Sequence, residues 1–87
     1  MSKQAKLNQL KGMIERINEL TGNPSGPTKP GAFHLHFPFG KVGLERVVDD
    51  AGGTRTLSTL VKYPEMKNAL SLALAILEDI NAERRAR

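Results

Sequence analysis

The sequence predicts a mainly α, α+β fold: two long amphipathic helices packed around a short strand or hairpin and a central short helix. Two apolar stripes at helical spacing point to it, Leu7-Leu10-Ile14-Ile17 near the start and Met66-Leu70-Ala73-Leu77-Ile80 near the end. Between them Phe33, Leu35 and Phe37 alternate with His34 and His36, the period of a half-buried strand.

The first helix is expected over residues 3–20, with Ser2 at the N-cap and Gly22 where a left-handed stop belongs. Met13 and Leu20 widen its stripe. Gly12 in its interior costs about 1 kcal/mol relative to alanine, so the helix needs packing partners. Residues 22–31, GNPSGPTKPG, hold three prolines and three glycines and read as an extended connector. The chain thus divides into a helical arm (1–22), a connector (23–31) and a compact strand-helix-helix domain (32–87).

The strand is expected over residues 32–37, ended by Pro38. After Gly40 the period changes. Leu44, Val47, Val48 and Ala51 share one helical face, Glu45, Arg46, Asp49 and Asp50 the other, and Gly52 suits a C-cap. This spacing predicts the central helix over 41–51; a strand continuing through Val42 and Leu44 is the rival, set aside because Val47-Val48 breaks alternation. Thr54 or Thr56 caps a short turn covering 57–61. Pro64 opens the last helix, which runs to Glu83, with Glu65 near its positive end and Arg84, Arg85 and Arg87 at its negative end.

With 87 residues, 39% of them apolar and only one Tyr and three Phe, the chain makes one small domain with a slender core, and self-association is expected. Having no cysteine, it has neither disulfides nor thiolate metal sites. The longest apolar run, Leu72 to Leu77, falls far short of the roughly 20 residues that span a bilayer. Lys3, Lys6 and Lys11 precede no apolar run of a signal peptide, so the expected location is the cytoplasm, without membrane attachment.

The net charge of +4 invites an anionic partner. Residues 1–31 carry five basic and two acidic groups, 32–63 four and three, and 64–87 four of each. The excess therefore lies in the first helix, with a local cluster at Arg84, Arg85 and Arg87.

Four constellations bear on chemistry. His34 and His36 point the same way from a strand and could supply two metal ligands, but no third ligand accompanies them in sequence. No nucleophile arrangement accompanies them either. No metal, cofactor or enzymatic activity is therefore expected. Gly52-Gly53-Thr54-Arg55-Thr56 can expose backbone N–H groups, two threonine hydroxyls and a guanidinium to a phosphate, or can be simply a C-cap, a turn and an N-cap. Helix, Gly-Gly turn and a Pro-started helix suggest a helix-turn-helix, with Arg55, Lys62, Lys67 and Asn68 outward. A ribbon-helix-helix fits less well, because residues 52–63 are too long a gap. Finally, the stripes Leu7, Leu10, Ile14, Ile17 and Met66, Leu70, Leu77, Ile80 serve either as core or as an oligomer or partner interface.

The runs G-A-F-H-L, F-G-K-V-G-L-E-R-V-V and A-G-G-T-R-T-L-S, within Gly31 to Leu77, resemble a block of small orphan proteins of phages and prophages. Those proteins carry a Gly-aromatic-x-Leu strand, an aromatic-Gly step, a Val-Val pair and a Gly-Gly turn. Lys41 stands where a second glycine is common in that block. The resemblance implies a phage or mobile-element origin and assigns no functional residue.

The expected function is that of a small non-enzymatic binding or regulatory protein, oligomeric, taking nucleic acid or another phosphate-bearing ligand such as a nucleotide. Lys3, Lys6, Lys11, Gly52, Gly53, Thr54, Arg55, Arg84, Arg85 and Arg87 are its candidate contacts. The alternative is an inhibitor or adaptor that docks on a host protein through an apolar helix face.

Overall fold

A computed structural model describes residues 2–24 and 29–86. In chain order they form helix α1 (Lys3–Thr21), strand β1 (Phe33–His36), strand β2 (Gly43–Val47), strand β3 (Thr54–Thr56) and helix α2 (Tyr63–Arg85). The three strands make one antiparallel sheet in the order β1-β2-β3. Parts of the connector, residues 25–28, and the predicted contact Arg87 lie outside the described residues.

α1 begins and ends where its sequence says. The Ser2 side chain accepts a hydrogen bond from Ala5 N at 3.1 Å. At the other end Gly22, at φ 73°, donates to Glu19 O, and Asn23 N donates to Asn18 O, the paired bonds of a Schellman stop. α2 opens on Pro64 in its first turn, with Glu65 beside it and Arg84 and Arg85 in its last turn.

The expected central helix over 41–51 does not form; those residues make β2 and the turn after it. The face that β2 shares with β1 explains the difference. Phe33 lies opposite Arg46 and Leu35 opposite Leu44, so Leu44 and the aliphatic stem of Arg46 line the inner face. The Arg46 guanidinium lies 4.8 Å from the Phe33 ring centroid, and its Nε donates to Gly31 O. Counted as polar, Arg46 interrupts the strand pattern; packed on Phe33, it completes it. In place of the turn expected over 57–61 the chain bends at Ser58 and reaches a bridge at Val61. Leu57 and Ser58 both donate to Leu44 O, two residues opposite one, and Val61 then exchanges both backbone bonds with Val42. Without a helix at 41–51 the helix-turn-helix reading falls, and the ribbon-helix-helix falls because β1 is already paired with β2.

α1 and α2 run in the same direction. Tyr63 Oη donates to Gln9 Oε1 near both N-termini, and Arg16 Nε lies 3.3 Å from Glu78 Oε1 farther along. Rather than sandwiching the strands, the helices pack on each other and on one face of the sheet. Leu10, Ile14 and Ile17 of α1, Leu35 of β1, Val42, and Met66 and Leu70 of α2 form a single core. The first helix is therefore built into the domain rather than held out as an arm.

The junction of helix and sheet is Asn18, 1% exposed. Its Nδ2 donates to Phe33 O at 3.0 Å, and its Oδ1 accepts from Phe33 N at 2.7 Å. β1 is an edge strand, and this carboxamide satisfies the edge with the two bonds a neighbouring strand would make.

Replacing Asn18 by the isosteric leucine leaves both Phe33 groups without partners in the interior. We expect Asn18→Leu to lower unfolding free energy by about 2–4 kcal/mol, read from urea denaturation at unchanged m-value.

Candidate nucleic-acid interface

The basic residues of the sequence do not gather on one surface. Lys3 and Lys6 line a cleft of about 380 Å³ together with Leu7, Gly40, Val42 and Tyr63. Three segments build it: the first turns of α1, the β1–β2 connection and the start of α2. The Val42–Val61 bridge holds the last two together, and the lysines beside it in the chain, Lys41 and Lys62, are both exposed. Four lysines are thereby brought to one end of the molecule, with Glu65 the acidic residue of the adjoining turn of α2. Lys6 Nζ lies 5.4 Å from the Tyr63 ring centroid, so that ring face is already occupied by a cation.

The β1–β2 connection carries the most unusual backbone among the described residues. Continuing the register of the hairpin pairs Pro38 with Lys41, and Lys41 N donates to Pro38 O at 3.0 Å. Phe39 and Gly40 are the two central residues, at φ 55° and 73°. Positive φ at both is the signature of a type I′ turn, whose first position favours Asn, Asp or Gly. Phenylalanine there stores about 1–2 kcal/mol of backbone strain. Its side chain is also 94% exposed. Phe33 and Phe37 pack against the core, and Phe39 does not.

The other predicted contacts sit elsewhere. Lys11 is exposed on α1 but does not line the cleft. Arg84 borders a second, smaller groove with Leu20, Thr21, Leu77, Ile80 and Asn81. It lies about 30 Å along α2 from Tyr63, at ~1.5 Å per residue, and Arg85 follows it. Arg55 is exposed on β3, opposite Arg46.

The anion seat at Gly52–Arg55 is filled by the chain itself. Asp49 Oδ1 accepts from Ala51 N at 2.9 Å and from Gly53 N at 2.8 Å. A side chain at Gly53 would meet the Asp49 carboxylate at 2.4 Å, so the glycine serves this close approach. Thr54 Oγ1 donates to Glu45 Oε2, away from any open seat.

His34 and His36 do acquire a partner, one that a helix at 41–51 would have hidden. His34 stands opposite Glu45 across the β1–β2 pair. Glu45 spans the two rings, Oε1 lying 3.2 Å from His34 Nδ1 and Oε2 3.2 Å from His36 Nδ1. The second approach is angled away from a hydrogen bond, which leaves His36 Nδ1 buried without one. Among the described residues no group of three or more His, Cys, Asp or Glu side chains is arranged to hold a metal ion.

No family model, curated protein or solved structure matches this chain. The site is therefore read from its own chemistry.

Of the predicted interface stripes, Leu10, Ile14, Ile17, Met66 and Leu70 are buried in the chain's own core, while Leu7 and Leu77 are half-buried. Ile80 is exposed, and so are Leu72 and Ile76, two turns and one turn before it. Lys41 and Phe39 are missing from the sequence-based contact set, and Lys62 enters only through the helix-turn-helix reading, because only folding brings them to the end that holds Lys3 and Lys6. The signal available for Phe39 was Pro-Phe-Gly-Lys between two extended runs, the length of a two-residue hairpin turn.

Removing the internal anion should loosen the β2–β3 turn. We expect Asp49→Ala to cost about 1–2 kcal/mol, with faster amide exchange at Ala51 and Gly53 in an NMR exchange experiment.

Proposed function

We propose that this protein is a non-enzymatic nucleic-acid-binding protein whose contact surface is the lysine-lined end. One observation carries the reading: Lys3 and Lys6 line one cleft, and the exposed Lys41 and Lys62, from two other segments, flank the Val42–Val61 bridge at the same end. Their separation in sequence means the cluster exists only in the folded chain. Cations spaced around a cleft suit the phosphates of a polyanion, where each neutralised phosphate releases counterions. The likeness of the Gly31–Leu77 block to phage and prophage proteins is our reason to seek that polyanion among the nucleic acids of a phage or its bacterial host. Among the described residues no helix is long and apolar enough to cross a membrane.

A second reading rests on α2. Leu72, Ile76 and Ile80 are 64%, 52% and 39% exposed on successive turns of one helix face. Such a face suits a protein partner, whether a second copy of this chain or a host protein. If it pairs two copies, the solution mass exceeds the 9.5 kDa of one chain, and Ile76→Glu restores the single-chain mass in sedimentation equilibrium.

For nucleic acid, affinity measured by fluorescence anisotropy should fall with salt, at about 0.7–0.9 in the logarithmic slope per lysine engaged. Each of Lys3→Ala, Lys6→Ala, Lys41→Ala and Lys62→Ala should reduce that slope by one such step. Arg84→Ala in the same series tests whether the far end of α2 adds a contact. Absence of binding to both DNA and RNA at low salt overturns the reading.

A further inference from the structure

Phe39 carries two costs that nothing inside the chain offsets. Its backbone occupies the left-handed region at a turn position where Asn, Asp or Gly sits without strain. Its ring is 94% exposed, so it brings no burial in return. A turn chosen for stability alone would carry Asn-Gly. Left-handed backbone at a hairpin tip also sets where the side chain projects, on a two-residue loop between Pro38 and Lys41.

The surroundings say what such a ring would meet. Gly40, its neighbour, lines the lysine cleft, and Lys41 follows directly. Lys3, Lys6 and Lys62 stand around the same end. An exposed aromatic face beside a track of cations is the arrangement that holds unpaired nucleotides, with phosphates on the lysines and a base on the ring. The other ring at this end, Tyr63, is not equivalent, since Lys6 covers its face and its hydroxyl is bonded to Gln9. Bases in a duplex already have both faces covered by their neighbours, whereas a splayed single strand offers them.

We infer that Phe39 is a base-stacking residue and that the ligand of the lysine-lined end is single-stranded nucleic acid. The inference rests on the nucleic-acid reading above and narrows it to a strand form and a contact atom set. A membrane surface is the competing destination for an exposed phenyl ring among lysines. A single aromatic with no apolar neighbour at the turn beyond Pro38 is a small anchor for a bilayer, so the base is the better match.

The experiment compares the full-length chain with Phe39→Asn and Phe39→Trp. Each is titrated against a labelled single-stranded oligonucleotide, the same sequence as a duplex, and vesicles of phosphatidylcholine with phosphatidylserine. Phe39→Asn relieves the turn, so it should melt at a higher temperature than the parent. It should nevertheless bind the single strand about five-fold to a hundred-fold more weakly, the range of one lost stacking contact. Its salt slope should be unchanged, because no lysine is touched, and Phe39→Trp should retain single-strand affinity. Equal single-strand binding by Phe39→Asn and the parent overturns the stacking role. If Lys6→Ala still weakens that binding, the nucleic-acid reading survives the loss. Preference of the parent for duplex overturns the strand assignment alone. Phe39-dependent vesicle binding without oligonucleotide binding overturns both and assigns the end to a membrane surface.

Discussion

The fold hangs on one buried carboxamide. Asn18 occupies a core position of α1, yet it acts as a short piece of β-strand, closing the free edge of β1 through Phe33. Its own carbonyl accepts the Asn23 N–H in the stop that ends the helix. The same residue therefore fixes where α1 ends and at what height the sheet meets it. An apolar residue could fill that volume but could not choose a register. Once Phe33 is set, the hairpin pairing sets Arg46, Leu44 and Gly43 in turn. A buried polar group that satisfies all its partners can confer this uniqueness in a core with few aromatic residues.

The opposite end of α1 depends on different contacts. There the Val42–Val61 bridge and the Tyr63–Gln9 hydrogen bond gather the β1–β2 turn and both helix starts. These contacts leave lysine side chains at the rim rather than burying them. The strained Phe39 turn sits on this scaffold without helping to hold it. The satisfied core thus lies in the middle of the molecule, and the strained, exposed turn lies at one tip.

Both long helices, their caps and the strand at Phe33–His36 were legible because each rests on local spacing and capping. The centre was not. Leu44, Val47 and Val48 have helical spacing, and what makes them extended is nonlocal: a partner strand ten residues upstream and an arginine stem lying on Phe33. Misreading β2 also concealed Glu45 from the histidines, since only strand register puts His34 across from it. The candidate site was half legible. Lys3 and Lys6 stand out on an amphipathic helix, whereas Lys41, Lys62 and Phe39 look ordinary until topology assembles them. At Gly52–Arg55 the residue types suggested an anion, and the chain supplies one from Asp49, three residues before the first glycine.

The parallel course of α1 and α2 has a further consequence. Most adjacent helix pairs run opposite ways and cancel their backbone dipoles, but here both positive ends emerge beside the lysines. The far end holds both negative ends, with Glu19 and Glu78 paired to Arg16 and with Arg84 and Arg85 in the last turn of α2. The molecule is thus polarised from tip to tail, and in the field of a polyanion it experiences a torque as well as an attraction. It would arrive already turned with the Phe39 tip foremost, so that orientation, usually a slow search between two docking surfaces, is in part completed before contact.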